Sequence, residues 1–295
     1  MSQGNQTRAI LQALLVTFLW STSFVLIKWG LADLPPVTFA SLRYLLAFLI
    51  LLPLALRSGL RTQLRHLRGR DWALLSLLGL VYYTLTQGAQ FLGLAYLQAN
   101  TLSLLLSLSS VGIALLGTLF LSERLGGLQW LGILVALAGA FIYFGSFGTL
   151  SVQGWLIGAL AVGANSVAAV MGRAVNRRQT LSPVLVTVMS MGVGSLLLLA
   201  WGLATEDFPM LGWQQWLLIL WLASVNTAFT FTLWNHTLRT LSAAQSGVIN
   251  NTMLIQIAIL AWIFLGERLN GIEIVGLLVA ALGTLLVQVR WRSKP

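Results

Sequence analysis

The sequence predicts an all-α integral membrane protein: ten transmembrane helices arranged as two inverted five-helix repeats. Three observations predict it. Of the 295 residues, 58% are hydrophobic and 8% charged, against about 25% charge in ordinary soluble domains. The apolar residues fall in long, uniform runs rather than in the alternating pattern of a membrane barrel. Finally, "FLSERLGG" at Phe120 to Gly127 returns as "FLGERLNG" at Phe264 to Gly271, 144 residues later.

Ten stretches are each long enough to span, a transmembrane helix needing about 20 apolar residues. They are 8–29, 36–56, 72–93, 98–121 and 127–145, then 153–173, 183–204, 213–236, 243–265 and 271–289. The first continues to Lys28 without a small-residue cleavage site and is read as a retained span, not a signal peptide. Connectors are short and leave no room for a separate soluble domain. A net charge of +10 could suggest nucleic acid, but the basic residues sit in short clusters at the ends of apolar runs. Placed on alternate sides, 14 Lys and Arg fall on the side of both termini and 2, Lys28 and Arg268, on the other, with Arg43 inside a span. This asymmetry places both termini in the cytoplasm of a cell inner membrane and leaves no nucleic-acid partner. The chain has no Cys, so disulfides, thiolate chemistry and Cys-based metal sites are excluded.

Aligned without a gap, Phe120 to Gly139 and Phe264 to Gly283 share 11 identities in 20 positions. At the same offset Trp72 falls on Trp216, Leu94 on Leu238 and Ala99 on Ala243; after a shift of three residues "LPPV" at Leu34 falls on "LSPV" at Leu181. Residues 1–148 and 149–295 are therefore expected to hold five helices each. Five is odd, so the second half enters the membrane from the opposite face. Inverted repeats of this kind recur in secondary transporters, where exchange of the conformations of the two halves opens a central site to each side in turn.

The motifs also resemble a known family. "FLW" followed by Ser21 to Phe24, "SLRYLLAFLILL" in the second helix, "WNHTLRTLSAAQSGVI" across the eighth and ninth, and the paired "ERL...G....LVA..G" signature are similar to the EamA family of the drug/metabolite transporter superfamily. The resemblance covers nearly the whole chain. It implies a ten-helix carrier, mostly of the kind that exports amino acids and other small metabolites from the bacterial cytoplasm, with more distant relatives moving nucleotide-sugars and sugar phosphates. One departure stands out: many members carry a proline about thirteen residues before the signature Glu, where this chain has Ser110 and Leu254. Without the ring a kink is not expected there.

Polar residues inside spans mark the expected site, because an unpartnered polar group in hydrocarbon is costly. Asn100, Ser103, Ser107 and Ser110 form one stripe on the fourth helix; Tyr83, Gln87 and Gln90 form another on the third, with Tyr82 and Thr86 alongside. Asn226, Thr227, Thr230 and Trp234 mark the eighth helix; Gln245, Asn250, Asn251 and Gln256 mark the ninth. Trp20, Ser21 and Ser23 in the first have Asn165 and Ser166 as approximate partners in the sixth. Each has a structural alternative: Ser and Thr bond the preceding turn or hold helices together, and aromatics populate interfaces. The cavity is expected among the first four helices of each half. The fifth and tenth, whose Gly132, Gly139, Gly276 and Gly283 suit close packing, are expected as buttresses or a dimer surface, leaving monomer and homodimer both open.

Charge narrows the chemistry. No Asp or Glu sits deep in any span, so the usual intramembrane proton relay is missing. Arg43, inside the second helix, and His236, near the cytoplasmic end of the eighth, are the two groups with a possible charge role. A single Arg is thin provision for a phosphate-bearing cargo. A neutral or zwitterionic small molecule fits better, with a hydrophobic or aromatic amino acid the best single guess; other metabolites, drug-like cations and a channel are the alternatives. No cofactor, no metal and no enzymatic motif is expected. The Glu and Arg of the signature are expected to cap the next helix or pair across the loop. Because the chain lacks cysteine, single labels in the loops around Ser122 and Gly266 report topology cleanly. They should be reached from opposite faces of the membrane, and labelling of both from one face would contradict inversion.

Overall fold

The computed structural model describes residues 3–57, 62, 64, 67–121, 125–144, 152–177, 182–237, 240–241 and 243–288. The expected boundary between halves at 148/149, the signature pair Glu123 and Arg124, and the side chain of Gln245 lie outside the described residues. Among the described residues every regular element is a helix: α1 Gln3–Gly30, α2 Pro36–Arg57, α3 Gly69–Gly79, α4 Gln87–Tyr96, α5 Ala99–Ser107, α6 Ser109–Leu121 and α7 Gly127–Phe144. Then follow α8 Val152–Arg177, α9 Pro183–Thr205, α10 Trp213–Ala223, α11 Thr230–Thr237, α12 Ala243–Leu265 and α13 Gly271–Gln288. Two π-helical turns, π1 at Leu80–Thr86 and π2 at Ser224–Phe229, join α3 to α4 and α10 to α11.

Among the described residues eight helices are long and apolar enough to cross a membrane, and Ile249–Leu265 is a shorter apolar one. The third expected span, 72–93, is helical but not among the eight. Its middle carries Tyr82, Tyr83, Thr84, Thr86, Gln87 and Gln90, which dilute the apolar run.

Local chemistry sets the helix starts. Ser182 caps α9 by accepting from Leu185 N at 3.3 Å, with Pro183 in the first turn, where its missing N–H is harmless. Asn270 and Glu273 form a reciprocal box at the start of α13 (2.8 and 2.9 Å). Two other starts borrow carboxylates from far along the chain. Glu206 takes Val37 N at 3.0 Å and Thr38 N at 2.7 Å, closing the first turn of α2. Glu267 takes Ala99 N at 2.7 Å and Asn100 N at 3.1 Å, closing that of α5. Each carboxylate satisfies amides that have no partner within their own helix and complements the positive end of the dipole. The expectation for the signature is thus corrected: Glu267 caps a helix 168 residues upstream in sequence, Arg268 is exposed, and the next helix is capped by Asn270 and Glu273.

The fourth expected span tightens for one turn at Leu108, whose N–H reaches Leu105 O at 3.0 Å, although it lacks proline. Ser103, Ser107 and Ser110 each donate to the carbonyl three residues back (2.7–2.8 Å), a local competition that bends helices. Its counterpart α12 runs unbroken through Leu254.

The closest helix pair is α7 with α13. A Cβ on Gly132 would stand 2.6 Å from Val287 N, one on Gly276 2.5 Å from Tyr143 N; Gly139 and Gly283 have no room for one against the backbones of Ala280 and Ala136. Numbers rise along one helix as they fall along the other, so the two run antiparallel. The small-residue faces are therefore consumed inside one chain, which removes them as a dimer surface. The outer faces, with Leu134, Phe141, Val275 and Leu278, are exposed and apolar. Gly139→Leu should force the pair apart and lower stability by about 1–3 kcal/mol. Thermal unfolding in detergent measures this, and an unchanged midpoint would contradict the packing.

Candidate functional site

A cavity of about 640 Å³ lies within the bundle, lined from α1, α2, π1, α4, α5, α6, α8, α11 and α12. Neither α7 nor α13 contributes to it. Its volume falls in the range of small-molecule sites.

One wall is polar. Tyr82, Thr86, Gln87 and Gln90 come from π1 and α4, Ser103 and Ser107 from α5. Gln87 is held by its Oε1, which accepts from the Tyr44 hydroxyl at 2.6 Å. The other wall is aromatic and amide-bearing. Trp20 stacks at 5.6 Å from Phe231 and 5.3 Å from Trp234, and its Nε1 donates to Thr230 Oγ1 at 2.9 Å. Asn250 and Asn251 enter from α12, while Asn165 enters from α8, which packs beside π1, α4 and α5. Ser23 and Arg43 complete the lining between these walls. Among the described residues the lining holds one cation and no carboxylate. Among the described residues no group of three or more His, Cys, Asp and Glu is placed to hold a metal.

Of the residues singled out from sequence, Trp20, Ser23, Tyr82, Gln87, Gln90 and Ser103 face this space, as do Ser107, Asn165, Trp234, Asn251 and Arg43. Six others do not. Ser21 donates to Gln256 Oε1 at 2.9 Å, and Gln256 donates to Thr252 at 3.1 Å, so this pair ties α1 to α12. Asn226 donates to Leu19 O and, at 3.0 Å, to Thr22 Oγ1, joining π2 to α1. Thr230 is consumed by Trp20. Tyr83 is buried against Tyr44 and Tyr82. Asn100 is fully buried beside the Glu267 cap, its amide without a partner among the described residues. His236 is exposed in the last turn of α11 and does not line the cavity.

Sequence reasoning missed Tyr44, Phe24, Phe231, Met253, Leu254 and Ile257, which also line the space. A search for polar groups in spans passes over apolar ones. The available signal was spacing: Phe231 stands three residues before Trp234 and Tyr44 beside Arg43.

Comparison with known proteins agrees with this architecture. Residues 7–145 and, separately, 152–289 match the EamA-like transporter family. The uncharacterized transporter YvbV of Bacillus subtilis is 28% identical over 217 residues, 72% of this chain and 68% of that one. The uncharacterized transporter YoaV of the same organism is 25% identical over 287 residues, 94% of this chain and 95% of that one. A solved crystal structure shares the fold with a TM-score of 0.68 at 19% identity, covering 97% of this chain and 96% of that one.

Gln87→Leu or Asn251→Leu should lower transport about tenfold or more, the range expected when a buried amide is lost from a polar site, with little loss of folded protein. Gln256→Leu should instead lower the unfolding midpoint, by about 1 kcal/mol in stability. Normal transport by both lining variants would remove those residues from the site.

Proposed function

The chain belongs to the EamA-like transporter family, and on that premise we propose that it is an inner-membrane carrier that exports small neutral or zwitterionic metabolites, amino acids foremost, by alternating access. Membrane transport of small molecules, not enzymatic catalysis, is the common activity of the family and of the relatives above. The finer reading assigns ten spans in two inverted halves with both termini in the cytoplasm. One observation carries it: the cavity is lined from both family-matched halves, while the last helix of each half stays outside and packs antiparallel against the other.

Further support comes from how the halves exchange contacts. Gly139 meets Ala280 as Gly283 meets Ala136, a reciprocal pattern across the 144-residue offset. Such reciprocity is the signature of a two-fold relation, and two-fold related halves are the working parts of alternating access. On this reading the end bearing Glu206 and Glu267 faces outward and is fastened by their two caps. The side chains identified above as lining the cavity are then the substrate contacts. Trp20, Phe231 and Trp234 offer an apolar wall for an amino-acid side chain, and the amides of Gln87 and Gln90 offer hydrogen bonds to its polar end.

The reading is tested in vesicles reconstituted with purified protein and preloaded with threonine or methionine. Saturable counterflow of the labelled amino acid, competed by other amino acids, is the expected result. Unitary conductance in a planar bilayer, or flux without saturation, would replace the carrier by a channel.

A further inference from the structure

Arg43 lies seven residues into α2 and is 4% exposed, at the depth of the cavity. A guanidinium stays protonated in proteins and has five N–H groups to place. Nε donates to Thr227 Oγ1 at 2.9 Å; Nη2 donates to Asn226 O at 3.3 Å and to Ser23 Oγ at 3.5 Å. Nη1 meets no acceptor among the described residues, although Arg43 is part of the cavity lining. Its planar face is covered by Tyr44 and Phe91, 5.3 and 5.9 Å from the ring centroids. No carboxylate among the cavity-lining residues balances the charge.

The fold does not require a cation here. In the alignment of the halves, the 147-residue shift places Arg43 on Ser190, and the 144-residue shift places Thr227 on Tyr83. There a serine stands in the same place: the Ser190 hydroxyl turns back to Val186 O of its own helix, and the Ser190 backbone packs on Gly79. A serine therefore serves the same helix packing in one half. In the other stands a cation that is expensive in hydrocarbon unless it is paired.

We infer that Arg43 is the anchor for the cargo, its Nη1 receiving the carboxylate of an organic acid whose apolar part rests on the Trp20, Phe231 and Trp234 wall. This rests on the carrier reading of the cavity and narrows it: the cargo carries one carboxylate, as a zwitterionic amino acid does, and amines without an acid group bind more weakly. A single guanidinium with no second cation in the lining suits a monocarboxylate better than a phosphate, which calls for several donors of positive charge. Sharing one fork between hydroxyls and cargo also fixes the orientation of the acid relative to α1, α2 and π2, which a lysine point charge does less well.

The test is binding of matched acid and amide pairs to the purified full chain in detergent. L-methionine, L-phenylalanine and benzoate are each titrated against the corresponding amide, read by tryptophan fluorescence and by thermal shift. In the wild type the acids are expected to bind at least about tenfold more tightly than the amides, the scale of one hydrogen bond to a charged group. Arg43→Gln should erase the difference by lowering acid binding to the level of the amides; Arg43→Lys should restore part of it, as the charge without the fork. Equal binding of acid and amide to the wild type, no binding of any acid, or selectivity that survives Arg43→Gln overturns the assignment. Loss of all ligands alike in the glutamine and lysine variants also overturns it, because that is the behaviour of a purely structural residue. Where neither variant folds, the comparison of acid with amide in the wild type decides. Acid-selective binding without counterflow refutes the carrier and keeps the anchor; counterflow indifferent to the carboxylate keeps the carrier and removes the anchor.

Discussion

Hydrocarbon offers no hydrogen-bond partners, and this constraint governs the molecule. Any polar group carried into the bundle must be answered by another part of the bundle or cluster around an internal space that admits water or cargo. Hydroxyls answer themselves by returning to the preceding turn, as Thr17, Ser103 and Thr284 do. Helix starts are answered by Glu206 and Glu267. Amides answer between helices, as Asn226 does to α1. Some of what is left over, Nη1 of Arg43 and the amide nitrogens of Gln87 and Gln90, collects around one cavity, while the Asn100 amide stays buried away from it. The site is the residue of a bundle-wide satisfaction problem, which is why it is both polar and central.

Much of the helical architecture can be read from residues alone, because membrane length and a sequence repeat are long-range signals. The apolar runs mark the helices, and part of the polarity of the third comes from Tyr82, Thr86, Gln87 and Gln90, which face the cavity. The glycines at 132, 139, 276 and 283 correctly suggest close packing, but sequence leaves open whether the partner is another chain, and only their mutual contacts show that each occupies the other. The reach of Glu267 to Ala99 is likewise hidden, since no local pattern connects positions 168 residues apart.

Several of the misreadings at the site have one physical cause. Stripes were drawn with α-helical spacing, which puts Tyr83 on the face of Gln87 and Gln90. The π turn inserts a residue between them, so Tyr82 reaches the cavity while Tyr83 turns to Tyr44. In the second half π2 has the same effect, sinking Asn226 and Thr227 between helices while Phe231 and Trp234 face inward. Ser21 and Gln256 fail for a different reason: each is the partner the other needs, and a pairing 235 residues apart leaves no trace in either stripe.

The two π turns begin 144 residues apart, at Leu80 and Ser224, so both halves carry the irregularity at matching places. A π turn is an α-helix holding one surplus residue, and each residue of an α-helix advances the chain by about 100°. Ironing out that surplus would swivel everything downstream: Gln87 and Gln90 on one side, Phe231 and Trp234 on the other. Half the furniture of the chamber hangs from two latent screws of the same pitch, set in helices that meet the cavity from separate halves of the chain.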